Sequence, residues 1–565
     1  MNIFFRKPKK SDISFEEILL DASNLPLFNV GRMEGRMELP LSERSIIFVG
    51  IIFIGIALAF FVQLFTLQVV HGTEFAIKSE QNRIASTLIV AERGIVYDRN
   101  KELIAWNELD TTKQYDFPVR AYTDRRGFGQ LIGYVSYPQK DSSGFYFRSE
   151  YLGRNGIEEA YEKELHGKNG KQQVETNVHG EIISQNIVDG AVAGQEITLS
   201  LDAELSEMMY DIIASTTEQN GFRSGASAIM DVHTGEIIAL SSFPSYDPEV
   251  LADGDNVDLI NSYNNDTRFP FLNKIVNGMY TPGSIVKPFV AYGALAENII
   301  SPEKIIVSKG SIVIPNPYDP TKPAVYRDWR QSLGSMTMRD AIAYSSNVYM
   351  MTIGGGYGDQ KGLGITKLNT YFSLFGLGST TGITLAGEQK GLIPSPEWKE
   401  KIFHDDWRLG DTYLTSIGQF GFQITPLQML RAYGALANGG TLVTPVLIKD
   451  SQGATRNIGL IPDDLKVVQE GMRRTVIQEG GTARSLDRKD VAIAAKSGTA
   501  ELGESKSMVN SWIAGFFPYE KPKYAFILFM EYGPRTNTVG ASSVMGKVFD
   551  WIAEYRQDYI NPKST

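Results

Sequence analysis

The run IIFVGIIFIGIALAFFVQLFTLQVV, from Ile46 to Val70, contains no charged residue. Its first seventeen residues are apolar, and its polar members, Gln63, Thr66 and Gln68, come late. About 20 such residues cross the hydrocarbon core of a bilayer. A helix apolar on every side is rare in a water-soluble domain. The run is too long, and starts too deep in the chain, for a cleaved signal peptide. The sequence therefore predicts one transmembrane helix over residues 46–70. Arg32, Arg36 and Arg44 precede it, Lys78 and Arg83 follow it, and the RKPKK cluster at Arg6–Lys10 tips the balance toward an inside N-terminus. About 495 residues follow without a second comparable run, and these are expected outside the membrane.

Residues 1–45 are mixed in charge and broken by Pro and Gly, which predicts a cytoplasmic tail. Its FEEILLDASNLPLF stretch reads as solvated, with a short interfacial helix as the competing reading. Residues 71–195 carry short β-like runs, such as STLIV and QEITLSL, between Gly-rich turns. With few candidate catalytic groups, this region reads as a spacer. From 196 to 565 the pattern changes. ASAIMDVHTGEIIALSSF predicts a hairpin closed by a Thr-Gly turn, with His233 as a turn residue. Helix-like stretches follow at 284–298, 337–353, 425–438 and 465–478. Two strand-like runs, VNSWIAGFFP and KYAFILFMEYG, precede a last helix-like stretch at 540–556. Strands at both ends with helices between predict an α+β domain, an antiparallel sheet packed against helices. Met350 and Met351 read as core.

Net charge is -10, so no basic face for nucleic acid is advertised. With no cysteine, thiolate nucleophiles, disulfides and thiolate metal sites are excluded. The five histidines, His71, His166, His179, His233 and His404, lack metal-ligand spacing.

The candidate chemistry begins at TPGSIVKP. A serine hydroxyl is a weak nucleophile and needs a base. Ser284 and Lys287 stand three residues apart, on one face of a helix start, where free N–H groups suit an oxyanion. A lysine serves as base if burial or a neighbouring cation lowers its pKa. Ser-x-x-Lys recurs at Ser301–Lys304, so the motif alone carries little. Two further boxes follow in order: Ser345-Ser346-Asn347, and Lys496-Ser497-Gly498-Thr499. Ser262-x-Asn264 precedes the nucleophile and is set aside. Ser-x-x-Lys, Ser-x-Asn and Lys-Ser-Gly is the motif set of penicillin-binding proteins and serine β-lactamases, with Ser for Thr in the third box. Lys496 is read as a second cation favouring a neutral Lys287. Ser345 is read as a bridge between the two lysines, and Asn347 as an amide for a peptide backbone. Lys496, Ser497 and Thr499 are read as holding a substrate carboxylate, and Gly498 as letting a substrate strand approach.

Flanking text makes the resemblance specific. ERGIVYDRNKELIA and GRNGIEEAYEKELHGKNG resemble the opening and pedestal motifs of class B penicillin-binding proteins. MDVHTGEIIALSSFPSYDP resembles their first transpeptidase strands. YRDWR, GITLAGEQKGLIPSPEWK, WRLGDTYLTSIGQ and TPLQMLRAYGALANGG resemble the elongation, rod-shape branch. The resemblance implies a single-pass, periplasmic D,D-transpeptidase with a pedestal and a serine β-lactamase-like catalytic domain. Ser284 attacks the D-Ala-D-Ala bond of a peptidoglycan stem peptide, and a neighbouring stem amine resolves the acyl-enzyme. β-Lactams acylate the same serine. The backbone N–H groups of Ser284 and Thr499 form the oxyanion hole, and no metal or organic cofactor is needed. A SEDS-family glycosyltransferase and the rod-shape scaffold are the implied partners. Division-type transpeptidase, D,D-carboxypeptidase, β-lactam sensor and non-catalytic cell-wall scaffold are the alternatives. Three departures stand out: GQF at Gly418–Phe420 for Gly-Gln-Gly, DRNKE for an Asn-Gly turn, and only about 20 residues from Asn107 to Gly127, which predicts a reduced head subdomain. The segment between membrane and transpeptidase is too short for a glycosyltransferase domain.

Overall fold

The computed structural model describes residues 42–81, 84–111, 115–142, 146–176, 182–316 and 319–561. The tail expected over residues 1–45, with its RKPKK cluster and its possible interfacial helix, lies almost wholly outside the described residues, as does His179. The chain divides into two units, residues 1–85 with 175–182, and residues 86–174 with 183–565.

In the first unit a helix runs over Glu43–Phe65. The Ser42 hydroxyl caps it by accepting from the Ser45 N–H at 3.2 Å. It passes into a π-helical turn at Thr66–Val70, where Thr66 donates its hydroxyl to the Val62 carbonyl. The apolar helix thus begins three residues before the expected start and changes geometry at Thr66, the second of its late polar residues. Arg44–Val70 is long and apolar enough to cross a membrane.

In the second unit the pedestal carries a four-stranded sheet in the order Ile197–Thr198, Val96–Tyr97, Leu103–Glu108, Val119–Tyr122. Ile197–Thr198 pairs in parallel with Val96–Tyr97, so the pedestal sheet extends past the expected boundary at 195. Glu108 stands opposite Val119, so residues 109–118 alone separate the two strands. Beneath this sheet lies a buried ion network. Arg93 Nε donates to Glu158 Oε2 at 2.5 Å, and Arg120 Nε donates to Glu158 Oε1 at 2.8 Å. Glu162 takes a further bond from Arg93 at 2.5 Å.

The expected α+β domain is built on a five-stranded antiparallel sheet. Its strands are β1 (Ser224–Asp231), β2 (Ile237–Phe243), β3 (Ala494–Leu502), β4 (Met508–Phe517) and β5 (Tyr524–Pro534), in the order β2-β1-β5-β4-β3. The hairpin from one end of the domain therefore pairs with the strands from the other, β1 against β5. His233 sits in the hairpin turn, where its backbone N–H meets Asp231 Oδ1 at 2.8 Å. Helices α1 (Ala203–Asn220) and α6 (Ala541–Tyr555) cover one face of the sheet. The other face meets α4 (Pro426–Ala437), every residue of which but Arg431 is buried, and α5 (Pro462–Ile477) packs on β3. Between sheet and outer helices lies α2 (Lys287–Ala296), buried over nearly its whole length. Met350 and Met351 belong to the same core.

One expected helix is broken. Residues 337–353 form two helices, Met338–Ala343 and α3 (Asn347–Gly355), with Tyr344–Ser346 between. Ser345 adopts φ 55°, a left-handed conformation that interrupts helical hydrogen bonding. Ser346 then caps α3 by accepting from the Tyr349 N–H at 3.1 Å.

Candidate active site

Three segments meet at the site: the Gly283–Val286 turn, the broken helix at Ser345–Asn347, and the edge strand β3. The turn is 3₁₀-helical rather than the α-helical start expected, and the Lys287 N–H closes it on the Ser284 carbonyl. In 3₁₀ geometry residues i and i+3 eclipse one another, so Ser284 and Lys287 are aligned along the turn. Pro288 sits in the first turn of α2, where its missing N–H is harmless. Gly283 has φ 58°, and a Cβ there would stand 2.7 Å from the Thr499 carbonyl oxygen. Only glycine lets the nucleophile turn come this close to β3. The Gly283 N–H donates to the Gly418 carbonyl at 2.9 Å, and a Cβ on Gly418 would stand 2.2 Å from the Gly283 oxygen. The Gly418 turn thus braces the nucleophile turn from the opposite side.

Lys287 is fully buried. Its Nζ donates to the Ser345 carbonyl at 2.5 Å, to Asn347 Oδ1 at 2.8 Å and to Ser345 Oγ at 3.2 Å. All three acceptors are neutral. Burial lowers its pKa to about 7, opposed by the more distant Asp328 carboxylate. The expected lowering is present, and burial is its first cause. Lys496, also fully buried, is pushed well below the ordinary lysine value by burial and then by Lys287. The like-charge effect therefore falls on Lys496, and the second cation expected to favour a neutral Lys287 is not among the causes of its lowering.

Several expected contacts are different in the structure. Ser345 does not bridge the lysines: Lys496 Nζ donates to the Ser497 carbonyl at 2.7 Å, while Ser345 meets Lys287. The Asn347 amide is engaged within the chain at both ends, its Nδ2 donating to the Arg327 carbonyl at 3.1 Å. Ser497 Oγ donates to Thr482 Oγ1 at 2.6 Å. Gly498 serves the nucleophile turn, since a Cβ there would stand 2.8 Å from the Ile285 side chain. Thr499 is exposed beside it. As an edge strand, β3 has one row of backbone groups outside the sheet ladder.

Sequence reasoning used YRDWR only as a marker of family and missed Asp328. Its Oδ1 accepts from the Asn347 N–H at 2.7 Å, and its Oδ2 accepts from Ser346 Oγ at 2.8 Å and Ser308 Oγ at 3.0 Å. Glu388 braces a loop by accepting from the Thr381 and Gly382 N–H groups at 2.6 and 3.0 Å. Phe420 occupies φ 63°, a conformation ordinarily glycine's, and its ring packs edge-on against Trp398 and Trp407 at 5.8 and 5.6 Å. Among the described residues no group of three His, Asp or Glu side chains is arranged to hold a metal ion.

Comparison with known proteins fits this arrangement. The family of the penicillin binding protein transpeptidase domain matches residues 225–554, more than half of the chain. The penicillin-binding protein dimerisation domain matches residues 112–199. The peptidoglycan D,D-transpeptidase MrdA of Salmonella typhimurium is 28% identical over 485 residues, covering 79% of this chain and 75% of its own. PBP2 of Helicobacter pylori, solved in complex with MreC, superposes with a TM-score of 0.69 at 25% identity, covering 83% of this chain and 99% of that one. A chain of a structure described as "Structural coordination of polymerization and crosslinking by a peptidoglycan synthase complex" gives a TM-score of 0.70 at 26% identity, covering 92% of this chain and 99% of that one. On these grounds the chain belongs to the class B penicillin-binding proteins, as a peptidoglycan D,D-transpeptidase of the elongation, rod-shape type.

Proposed function

We propose that Ser284 is the acylated residue and Lys287 its general base. The observation that carries this is the buried Lys287 amine, one 3₁₀ turn from Ser284, bonded only to neutral acceptors and held near half-protonation at pH 7. Ser284 Oγ attacks the carbonyl between the two terminal D-alanines while its proton passes to Lys287. The tetrahedral oxyanion is held by the backbone N–H groups of Ser284 and Thr499. Collapse breaks the C–N bond, and the leaving amine of D-alanine takes the proton, relayed through Ser345. A stem amine then attacks the ester, and Ser284 recovers its proton. A water in place of the amine gives the carboxypeptidase side reaction. Lys496, Ser497 and Thr499 hold the substrate carboxylate once Lys496 exchanges the Ser497 carbonyl for it, and Asn347 borders the cleft. β-Lactams acylate the same serine.

The helix Glu43–Phe65 anchors the chain in the cytoplasmic membrane, N-terminus inside, with the catalytic domain on the periplasmic side. A SEDS-family glycosyltransferase and rod-shape scaffold proteins are the partners; the Helicobacter relative pairs with MreC. The short 109–118 connection supports a reduced head subdomain, so partner contacts there differ from those of longer relatives.

Labelling with a fluorescent penicillin tests the assignment. The wild type is expected to carry a covalent label and Ser284→Ala none. Persistent covalent label on Ser284→Ala removes Ser284 from the mechanism. Mass analysis of products from stem peptides separates crosslinked dimers from hydrolysed monomers.

A further inference from the structure

The residues around the second box show an arrangement that the three-box reading does not contain. Between α2 and the broken helix the chain makes two small antiparallel pairs, Ile306–Ser308 with Gly334–Met336 and Ser311–Ile314 with Ala324–Arg327. The second pair ends at Arg327, and the next two residues turn into the site. Asp328 grips α3 at its first residue and at its cap. One carboxylate oxygen accepts from the Asn347 N–H, and the other from the Ser346 hydroxyl. Arg327 grips the same asparagine by its side chain, its carbonyl accepting from Asn347 Nδ2. That bond fixes which end of the amide faces Lys287, leaving Oδ1 for Nζ at 2.8 Å. Trp329 Nε1 donates to the Tyr344 carbonyl at 2.9 Å, on the other side of the strained Ser345. Asp328 is itself fixed, its N–H on the Gly310 carbonyl at 2.8 Å and its Oδ2 on the Ser308 hydroxyl at 3.0 Å.

We propose that Arg327–Asp328–Trp329 is a clamp that holds Ser345 and Asn347 in register with Lys287, with Asp328 as its principal positioning residue. The inference rests on Lys287 being the base. It adds that the base is set from outside the three boxes. Two carbonyl or carboxylate contacts on Asn347, and one on Tyr344, bracket the left-handed residue, which would otherwise relax toward a continuous helix. Asp328 does not touch the reacting atoms. Its charge reaches Lys287 through Asn347 and favours the ammonium form. Among the described residues the charged groups facing Lys287 are Asp328, from the loop after Arg327, and Lys496, from β3.

The test is the pH profile of penicillin acylation in the full-length protein. Asp328→Asn keeps the side chain's size and removes its charge. It is expected to slow acylation roughly 10-fold to 100-fold, as a displaced catalytic group does. It is also expected to move the acid limb of the profile about one pH unit lower, since an opposite charge has been taken away from a lysine. A merely structural residue would lower the amount of active protein and leave the limb in place. Trp329→Phe, at a half-exposed position, removes one bond of the clamp and no charge, and guards against an Asp328 variant that does not fold. It is expected to slow acylation several-fold with the limb unmoved. An unmoved limb in folded Asp328→Asn, or wild-type acylation in Trp329→Phe, overturns the clamp. Neither result touches the Ser284 assignment, which stands or falls on Ser284→Ala.

Discussion

In the pedestal, Arg93 and Arg120 are buried around Glu158, which lies between them with Glu162 alongside. In the catalytic domain, Lys287 and Lys496 are buried as deeply, and among the described residues no carboxylate bonds to either amine. Both regions carry the desolvation of charged groups, and they resolve it in opposite ways. Burial pushes the Glu158 carboxyl up, but the two guanidinium groups outweigh it, and the net direction is downward. The network stays ionised and locks the Glu-Arg-Gly stretch to the helix at Gly156–Ala160. The lysines receive neutral acceptors instead, so the proton itself becomes loose. A compensated buried charge holds structure, whereas an uncompensated one yields a group that trades protons near neutral pH.

Lys287→Met tests the uncompensated side with the largest effect. Acylation by penicillin is expected to fall about 10⁴-fold, the upper end for loss of a general base. Stability should move the other way. The folded pKa, about 7, lies below the ordinary 10.5, so the folded state binds fewer protons than the unfolded one between those values. Lysine is therefore destabilising in full below pH 7, and the penalty fades as pH rises toward 10.5. Denaturant unfolding should find Lys287→Met more stable than wild type below pH 7, with the gap closing in alkali. A variant that is less stable at all pH values would place Lys287 among the structural charges.

Glu158→Gln tests the compensated side. Two buried guanidinium groups lose their shared carboxylate, which is expected to cost about 3–5 kcal/mol of stability. Acylation per folded molecule should not change. If label per folded molecule falls with stability, the pedestal network is part of the site's support, and the contrast between the two regions collapses.

The difference between the regions was only partly readable from the chain. Ser284 and Lys287 are three residues apart, so any helical turn aligns them, and the three boxes announce themselves by composition. The sheet followed from strand-like apolar runs at the two ends of the domain. What escaped depends on long-range contact. Arg93 meets Glu158 across 65 residues, and no local pattern says that they pair. Residues 337–353 read as one helix because apolar spacing continues through them. The break at Ser345 needs Asp328 and Trp329, which lie outside the helix. Gly498 reads as space for a ligand, yet the space is taken by Ile285, which only the folded turn reveals. Phe420 reads as a loss of glycine, and its compensation is the aromatic wall of Trp398 and Trp407.

The smallest effect separates the two neighbours of Lys287. Lys496→Met removes the like charge, where Asp328→Asn removes the opposite one. Burial lowers Lys287, and the like-charge effect falls on Lys496, which is pushed down by burial and then by Lys287, so loss of Lys496 should leave the acid limb of acylation where it is. Lys496 is also read as a carboxylate anchor, and losing the anchor weakens capture of the penicillin. That loss scales the whole profile down without moving the limb, since the anchored carboxylate is ionised throughout this range. Amplitude and limb position thus report two separate roles of one residue. A limb that moves higher in Lys496→Met would show that Lys496 is charged where Lys287 titrates, and would add a second reason to burial for Lys287 giving up its proton near pH 7.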